Sequence, residues 1–312
     1  MADHVSMPRL SDALSLREWR HRLALVIGRL LASTPLSGPM LARAERRTKT
    51  QSDTSERAAT PAAAADAEPK IVPPTPTDDP DSIVGGSPTS DFPDCCAVGN
   101  DDGWFCTGTL IAPNLVVTAG HCHDDNDHRL QITRVFLKGP NVANPASGEV
   151  FNVKENHAHP SADLRVLVLD VEDRKPSVNY RKIAQGAEAN ASTATLVGFG
   201  TIDFDGSVGY GIKRRVDVPI TSIDCSAAGD QSTFGCKPGI EMVAGQRGLA
   251  LDSCRGDSGG PLYIRNVDDD VFLLGATSRG VSNAGVVCGD GGIYVRVDQF
   301  IDWITEKTGV SI

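Results

Sequence analysis

Short apolar runs separated by clusters of Gly, Pro, Asn and Asp dominate the second half of the sequence. No sustained helical periodicity competes with them, apart from an N-terminal segment and the residues near the C terminus. Many short strands with turn residues between them predict an all-β barrel or sandwich. The predicted strands are Leu110–Val117, Thr133–Leu137, Leu164–Leu169, Thr195–Gly198, Lys213–Pro219, Pro261–Ile264, Val271–Thr277 and Ile293–Val297.

Residues 1–82 have a different composition. The run Leu23–Ala32 is apolar but contains Arg29, it follows three arginines, and Ala42–Ala44 has the small-x-small pattern of an export cleavage site. The alternative is an amphipathic pro-segment helix without an export function. Residues 45–82 are rich in Ala, Pro, Thr, Asp and Glu and have almost no large apolar side chains, so we expect this segment to be disordered.

Length and charge exclude several classes of function. The chain has 312 residues, 40% of them hydrophobic, and a formal net charge of −10, which is typical of a soluble globular protein with a large core. The acidic balance argues against nucleic acid as the main partner. No apolar run reaches the roughly 18 residues of a membrane span.

The run Asp252–Leu262 is the strongest indication of chemistry. Ser258 stands between Asp257 and two glycines, and such neighbours suit a nucleophile held on a tight turn with its hydroxyl exposed. Backbone N–H groups in a turn of this kind can converge on one point and stabilise an oxyanion. A Gly-Asp-Ser-Gly sequence alone would be equally typical of an ordinary turn.

A serine hydroxyl is a weak nucleophile and needs a base, which in turn needs an orienting group. His121 follows an apolar, β-rich run and precedes Cys122, whereas the other histidines lie in polar stretches and are expected to be solvated. Asp163 begins a short apolar strand, where a carboxylate would be partly buried. The order His121, Asp163, Ser258 matches that of chymotrypsin and differs from that of subtilisin and the α/β-hydrolases.

With these motifs the chain resembles the chymotrypsin/trypsin family of serine peptidases. The resemblance runs from Ile83 to Ile312 and includes Ile83–Gly86, Gly198–Gly200, Gly292–Val295 and the stretch around Trp303. It implies one protease domain, residues 83–312, made of two packed six-stranded antiparallel barrels with a short C-terminal helix. His121 and Asp163 would come from the first barrel and Ser258 from the second.

The resemblance also implies the roles of these residues. The protein would be an endopeptidase that cleaves a protein or peptide through an acyl-enzyme, with Ser258 as nucleophile, His121 as general base and then acid, and Asp163 orienting His121. The N–H groups of Gly256 and Ser258 would form the oxyanion hole. No cofactor or metal is implied. The alternative is an inactive homologue that acts as a binding protein on the same fold.

The family register also predicts the specificity pocket. Asp252 would lie at its floor and favour Lys or Arg in the substrate, Gly280 and Gly292 would leave its walls open, and Ser278 would support the catalytic aspartate. Three arginines depart from the family pattern. Arg279 replaces the usual tryptophan, Arg255 stands at the pocket mouth, and Arg165 lies behind the acid. The first two would favour acidic residues beside the cleaved bond, or either would fold over Asp252.

Activation of a zymogen is a further implication. A new ammonium at Ile83 would enter the protein and pair with Asp257, ordering Gly256 and the oxyanion hole. The residue before Ile83 is Ser82, preceded by Asp81. A trypsin-like enzyme would not cut there, so another, activating protease should be needed.

All eight cysteines lie after residue 94. The family register pairs Cys106 with Cys122, Cys225 with Cys236, and Cys254 with Cys288, which favours an oxidising compartment and a secreted, extracellular or periplasmic protein. Cys95 and Cys96 are left over. A disulfide between these two neighbouring cysteines would be strained. One free thiol, or a disulfide to another chain, is an equally open alternative.

Overall fold

The computed structural model describes residues 83–203 and 208–312. The interpretation of residues 1–82 as a signal-like, largely disordered pro-segment falls outside the described residues. These described residues contain two α-helices, α1 (Asp230–Phe234) and α2 (Ile301–Thr308). The strands are β1 (Ser87–Pro88), β2 (Cys95–Gly99), β3 (Trp104–Ala112), β4 (Leu115–Thr118), β5 (Arg134–Leu137), β6 (Glu149–Ala158), β7 (Arg165–Leu169), β8 (Thr193–Gly198), β9 (Arg214–Ser222), β10 (Glu241–Ala244), β11 (Pro261–Arg265), β12 (Val271–Gly280) and β13 (Gly292–Arg296).

The first barrel is a closed antiparallel sheet in the order β2-β3-β4-β7-β6-β5, with β5 pairing back to β2. Successive side chains of a strand point to opposite faces. In β4, Val117 packs in the cluster that lies between the two barrels, whereas Val116 packs in the interior of the first barrel. Both faces of β4 are therefore buried, which explains its unbroken apolar sequence.

The second barrel has the strand order β8-β9-β10-β13-β12-β11 and closes because β11 pairs with β8. The short strand β1 adds to the outer edge of β9. The interior of the second barrel is a separate apolar cluster that includes Leu262, Leu274 and Tyr294. The predicted fold, two six-stranded antiparallel barrels with a short C-terminal helix, is confirmed.

A buried ion pair also joins the barrels. Asp94, which directly precedes β2, is completely buried and accepts hydrogen bonds from Arg181 Nη2 at 2.6 Å and from Tyr263 Oη, on β11, at 2.6 Å. A carboxylate in such a place is stable only because both oxygens have donors. The contact fixes the first barrel against the second and therefore fixes the cleft between them.

The sequence pattern misplaced some strands. The run Leu110–Val117 is not one strand, because a turn at Pro113 and Asn114 divides it between β3 and β4. The pattern also missed β1, β2, β6 and β10. Strand β6 is rich in polar residues and largely exposed, so no apolar run marked it.

Helix α2 ends at Gly309, whose φ of 69° is in the left-handed region. No helix in the described residues is both long and apolar enough to cross a membrane.

Three disulfides are present, and they join the pairs implied by the family register. Their Cα atoms are 6.2 Å apart in Cys106–Cys122, 6.1 Å in Cys225–Cys236 and 5.3 Å in Cys254–Cys288.

Cys95 and Cys96 are free and completely buried in β2. Cys95 packs between the barrels and Cys96 packs inside the first barrel, so the two thiols lie on opposite faces of the strand. Burial raises the pKa of both thiols. Neither is therefore placed to bond to another chain.

Candidate active site

One line of hydrogen bonds joins the three residues that the motifs singled out. His121 Nδ1 lies 2.9 Å from Asp163 Oδ2, and His121 Nε2 lies 2.9 Å from Ser258 Oγ. The backbone N–H of His121 donates to Asp163 Oδ1 at 2.9 Å, so the carboxylate holds both the ring and the chain of the histidine. An ionised carboxylate only accepts hydrogen bonds, so Nδ1 carries the proton and neutral Nε2 is the acceptor for the Ser258 hydroxyl.

The carboxyl group of Asp163 stays ionised across the physiological range. Burial on its own would raise its pKa, but the hydrogen bonds and charge of His121 and the hydroxyl of Ser278 outweigh burial and lower the pKa to about 2. Ser278 Oγ donates to Asp163 Oδ2 at 2.6 Å. Asp163 therefore has three donors, which fix its orientation.

Glycine allows the turn that carries Ser258 to approach the loop that carries His121. Gly259 has a φ of +77°, and a Cβ at this position would lie 2.1 Å from Thr118 Oγ1 and 2.4 Å from Ala119 N. No other residue fits so close to that backbone. The disulfide Cys106–Cys122 fastens the same loop from the other side.

The nucleophile turn leaves two backbone donors free. Gly256 has a φ of +92°, and the N–H of Asp257 donates to the carbonyl oxygen of Cys254 at 3.0 Å. In the described part of the chain, the N–H groups of Gly256 and Ser258 donate to no acceptor. Two unpaired N–H groups beside Oγ are the arrangement that an oxyanion hole requires.

A cavity of about 160 Å³ opens beside Ser258 and has Asp252 in its lining. Asp252 is 3% exposed, and its Oδ2 accepts hydrogen bonds from Gly289 N and Gly291 N at 3.1 and 3.0 Å. Burial outweighs these hydrogen bonds and raises its pKa to about 6. No cationic side chain of residues 83–203 or 208–312 forms an ion pair with Asp252. The lining of the cavity thus includes an acid with no ion-pair partner among the described residues.

The other predicted pocket residues also line this cavity. Gly280 and Gly292 belong to its wall, and a Cβ on Gly280 would meet nothing closer than Val287 O at 4.0 Å. A side chain at position 280 would therefore extend into the opening. Ser278 lines the cavity and also contacts Asp163, so it connects the pocket to the triad.

The two arginines of the rim differ in their surroundings. Arg279 does not fold over Asp252: its Nη1 and Nη2 donate to Glu241 Oε1 and Oε2 at 2.9 and 2.8 Å. Glu241 is 1% exposed, so this acid is a buried clamp. Arg255 is exposed and has no carboxylate within ion-pair distance among the residues described. Its charge is therefore free to act on a substrate.

The guanidinium of Arg165 lies against the loop that carries His121. It donates to the amide oxygen of Asn156 and, at 3.4 Å, to Gly120 O. Asn156 Nδ2 lies 2.8 Å from Nδ1 of His123, which also accepts from Ile132 N at 2.9 Å. The expectation that His123 is a solvated loop residue is therefore wrong, because its side chain is only 11% exposed.

The residues expected to act in activation are both buried, on or next to the second barrel. Ile83 is 1% exposed and packs in the interior cluster of that barrel. Asp257 is 2% exposed and accepts hydrogen bonds from Gly200 N and Cys254 N, each at 2.8 Å. Burial outweighs these bonds, and with the charge of Asp252 it raises the pKa of Asp257 to about 7.

Glu241 is the residue of this region that the motif search missed. It is the one charged residue in the buried strand β10, and a lone acid in an apolar strand indicates a buried partner. That partner, Arg279, is 38 positions away along the chain.

Comparisons with known proteins agree with the geometry. A family model described as Trypsin matches residues 83–304. The chain is 32% identical over 236 residues to Trypsin of Saccharopolyspora erythraea, a match that covers 72% of this chain and 97% of the other. It is 31% identical over 244 residues to Brachyurin of Leptuca pugilator, covering 73% and 100%. It is 30% identical over 217 residues to Transmembrane protease serine 11A of Homo sapiens, covering 66% and 50%.

Proposed function

Because this chain belongs to the trypsin family of serine peptidases, we propose that it is a secreted endopeptidase, made as a zymogen, that cleaves after lysine or arginine. Membership of the family makes the protein a serine-type endopeptidase that acts on proteins or peptides. The observation that carries the proposal is the continuous hydrogen-bonded line Asp163–His121–Ser258, with an unpaired acid in the adjoining cavity.

The proposed reaction has two halves. Ser258 Oγ attacks the carbonyl carbon of the peptide while its proton moves to His121 Nε2, and the carbonyl becomes a tetrahedral oxyanion. The C–N bond then breaks, and His121 gives the proton to the leaving amine. Water attacks the acyl-enzyme in the same way, with His121 again as base, and releases the acid and Ser258. Asp163 keeps Nδ1 protonated and stabilises the imidazolium.

The oxyanion would be held by the N–H groups of Gly256 and Ser258. Both are free of acceptors in the described structure, which supports this role. Removing one such donor in a serine peptidase costs roughly 10²–10³ in turnover. The turn is held by the buried hydrogen bonds to Asp257, so its shape depends on that residue.

Substrate preference would come from Asp252. An unpaired carboxylate at the base of a narrow cavity gains most from an incoming cation, because a charge in a poorly hydrated site has few other partners. The open wall at Gly280 leaves room for a long side chain. Both features favour lysine or arginine over an apolar residue.

Activation would depend on cleavage before Ile83. Asp257 is buried with no ion-pair partner among the residues the structure describes. A buried carboxylate without a partner costs about 3–5 kcal/mol. A new ammonium at Ile83 would supply the missing charge and stabilise the turn that holds Gly256. Because the preceding residues are Asp81 and Ser82, cleavage would need a different, activating protease.

Secretion is supported by the cysteines. Three disulfides within one domain are typical of oxidising compartments. The alternative function, an inactive homologue that only binds, is favoured by no observation.

A substitution at the activation site tests the proposal as a whole. Ser82→Arg places a basic residue before Ile83, so the enzyme should be able to activate itself. We expect this variant to gain an N terminus at Ile83 and, with it, covalent labelling by a fluorophosphonate, while Ser82→Arg/Ser258→Ala gains neither. Labelling of wild type that still carries residues 1–82 would contradict the zymogen model. Absence of labelling in cleaved Ser82→Arg would contradict the proposed catalytic site.

A further inference from the structure

Hydrogen bonds connect the triad to an ion pair outside it, in which Glu241 is buried and the side chain of Arg279 is 40% exposed. Arg279 Nη1 donates to Ser278 Oγ at 3.1 Å, and Ser278 Oγ lies 2.6 Å from Asp163 Oδ2. A hydroxyl has one proton and two lone pairs, and arginine can only donate. With Arg279 occupying a lone pair of Ser278, the serine proton is directed to Asp163. Arg279 therefore fixes the direction of the hydrogen bond that the catalytic acid accepts.

The position of Arg279 is itself fixed. Both terminal nitrogens of the Arg279 guanidinium donate hydrogen bonds to Glu241, and Nη2 also donates to Gly235 O at 3.0 Å. Glu241 Oε2 accepts a further hydrogen bond from Lys237 N at 2.7 Å. Bidentate pairing to a 1% exposed carboxylate holds the plane of the guanidinium in one orientation. A lysine could supply the charge but not this geometry.

We infer that Arg279, clamped by Glu241, is a positioning residue that acts through Ser278 on Asp163 and sets the pH at which His121 becomes able to act as a base. The inference rests on the proposed function. Arg279 makes no hydrogen bond or ion pair to Ser258 or His121, so its effect must pass through Ser278 and through its charge.

The sign of the charge effect follows from the arrangement. A cation two hydrogen bonds from Asp163 opposes protonation of His121, because a positive charge disfavours a second positive charge nearby. Removing it should therefore move the acidic limb of the pH–activity profile to higher pH. For charges a few hydrogen-bond lengths apart in a half-exposed site, the shift should be on the order of half a pH unit.

Other charged groups also surround the catalytic pair, and the test leaves them unchanged. Arg165 lies against Gly120 O, and Lys237 Nζ donates to Ser161 O at 3.1 Å. His159 Nδ1 accepts from Ser161 N and Ala162 N. Asp252 and Arg255 line the cavity beside Ser258, and the described first barrel also carries two histidine–carboxylate pairs, His157 with Glu155 and His123 with Asp125.

The experiment measures kcat and KM against pH for the active form of the full chain, with a small ester of arginine that has no residues before the arginine. Arg279→Met should move the acidic limb of kcat/KM to higher pH by about half a unit. Arg279→Lys keeps the charge, so its acidic limb should stay in place while kcat falls severalfold and KM is unchanged.

Arg279→Met leaves Glu241 buried without a partner, which could prevent folding. The double variant Arg279→Met/Glu241→Met replaces both charges by apolar groups, a change that proteins tolerate well. Because the opposing charge of Glu241, which lies farther from Asp163, is removed as well, it should show an upward shift smaller than that of Arg279→Met. Arg296→Met is the matched control, because Arg296 is paired bidentately with Asp298 but makes no hydrogen bond to Ser278 or the triad. Its acidic limb should not move.

A double-mutant cycle tests the path through Ser278. If Arg279 acts through this hydroxyl, Ser278→Ala/Arg279→Lys should lose no more kcat than Ser278→Ala alone. Additive losses of kcat, or an acidic limb that stays in place in both folded Met variants, would overturn the inference while the wild type still hydrolyses the ester. A wild type with no hydrolysis would overturn the proposed function and this inference with it.

Discussion

In the chain that has not been cleaved before Ile83, the free energy of unfolding should depend on pH partly through Asp257. Replacing Asp257 with asparagine should remove most of that dependence. Burial outweighs two backbone hydrogen bonds and raises the pKa of Asp257 from 3.8 to about 7. The folded chain therefore keeps a proton on Asp257 that the unfolded chain has already released. Over this range the folded state binds more protons, so its stability falls as the pH rises from about 4 to about 7.

The size of the effect follows from the shift. A difference of about three pH units between the folded and unfolded pKa corresponds to about 4 kcal/mol, at 1.36 kcal/mol per unit. That stability is fully present below pH 3.8 and is lost by about pH 7. Asp252 contributes in the same direction, since its pKa is raised to about 6, and Asp163 in the opposite direction, since its pKa is lowered to about 2. Asp163 remains in the variant and cancels in the comparison, and Asp252 cancels except for the coupling of its charge to Asp257.

Urea denaturation between pH 4 and pH 8 would measure the effect. The protein would be the full chain with Ser258→Ala, to prevent self-digestion, with and without Asp257→Asn. The difference in unfolding free energy between the two proteins should change by about 4 kcal/mol across this range, with equal m-values. Exposed Asp302→Asn serves as the control and should give a constant difference.

Cleavage before Ile83 should change this result. In the proposed active form, the ammonium of Ile83 stabilises ionised Asp257 and lowers its pKa, so the fall in stability towards pH 7 should shrink or reverse. The free energy of unfolding is compared against pH for the uncleaved parent and for Asp257→Asn. If the two curves run parallel from pH 4 to pH 8, Asp257 does not carry a buried charge that lacks a cationic partner, and the electrostatic account of activation is refuted.

Three further outcomes follow from the site. Ser258→Ala should lower turnover by about 10⁶ without a change in the melting temperature, and a loss within tenfold in a protease-free preparation would exclude the proposed mechanism. Asp252→Ser should weaken the preference for lysine and arginine in a peptide library, and a wild type that cuts best after Phe or Leu would show that the pocket is misread. Acidic residues beside the cleaved bond should raise kcat/KM at low salt through Arg255, and less so above 0.1 M salt, where screening acts over about 10 Å. If kcat/KM at low salt is the same for acidic and for neutral residues beside the cleaved bond, both in wild type and in Arg255→Gln, this role of Arg255 is contradicted.

The hydrogen-bonded arrangement of His121, Asp163 and Ser258 could be predicted from the sequence because each residue lies in a local pattern that the proposed chemistry requires. Ser258 needs glycines on its turn, and Gly259 is needed because the backbone of the facing loop leaves no room for a Cβ. His121 and Asp163 border buried strands, whose apolar runs are visible in the sequence. Such short-range constraints survive without knowledge of the tertiary structure.

The charges around the site could not be predicted in the same way. The position of the Arg165 guanidinium depends on its hydrogen bond to Asn156. That residue lies on the polar strand β6, which the sequence pattern missed. Whether Arg279 covers Asp252 or turns away depends on Glu241, which reaches it only because β10 and β12 both pair with β13. Long-range strand pairing decides both outcomes, and residue periodicity does not encode which strands become neighbours.

The two buried acids of the second barrel are also linked to each other. Asp252 and Asp257 are both nearly inaccessible, and the negative charge of Asp252 raises the pKa of Asp257. A cationic substrate side chain above Asp252 would offset that charge and make ionisation of Asp257 easier. Because coupling between two binding events is reciprocal, pairing of Asp257 with an ammonium would in turn favour a cation over Asp252. On this view the proposed preference for basic substrates and the proposed activation step are two consequences of one arrangement. In it two carboxylates are buried without an ion-pair partner, and each would be stabilised by a positive charge supplied from elsewhere.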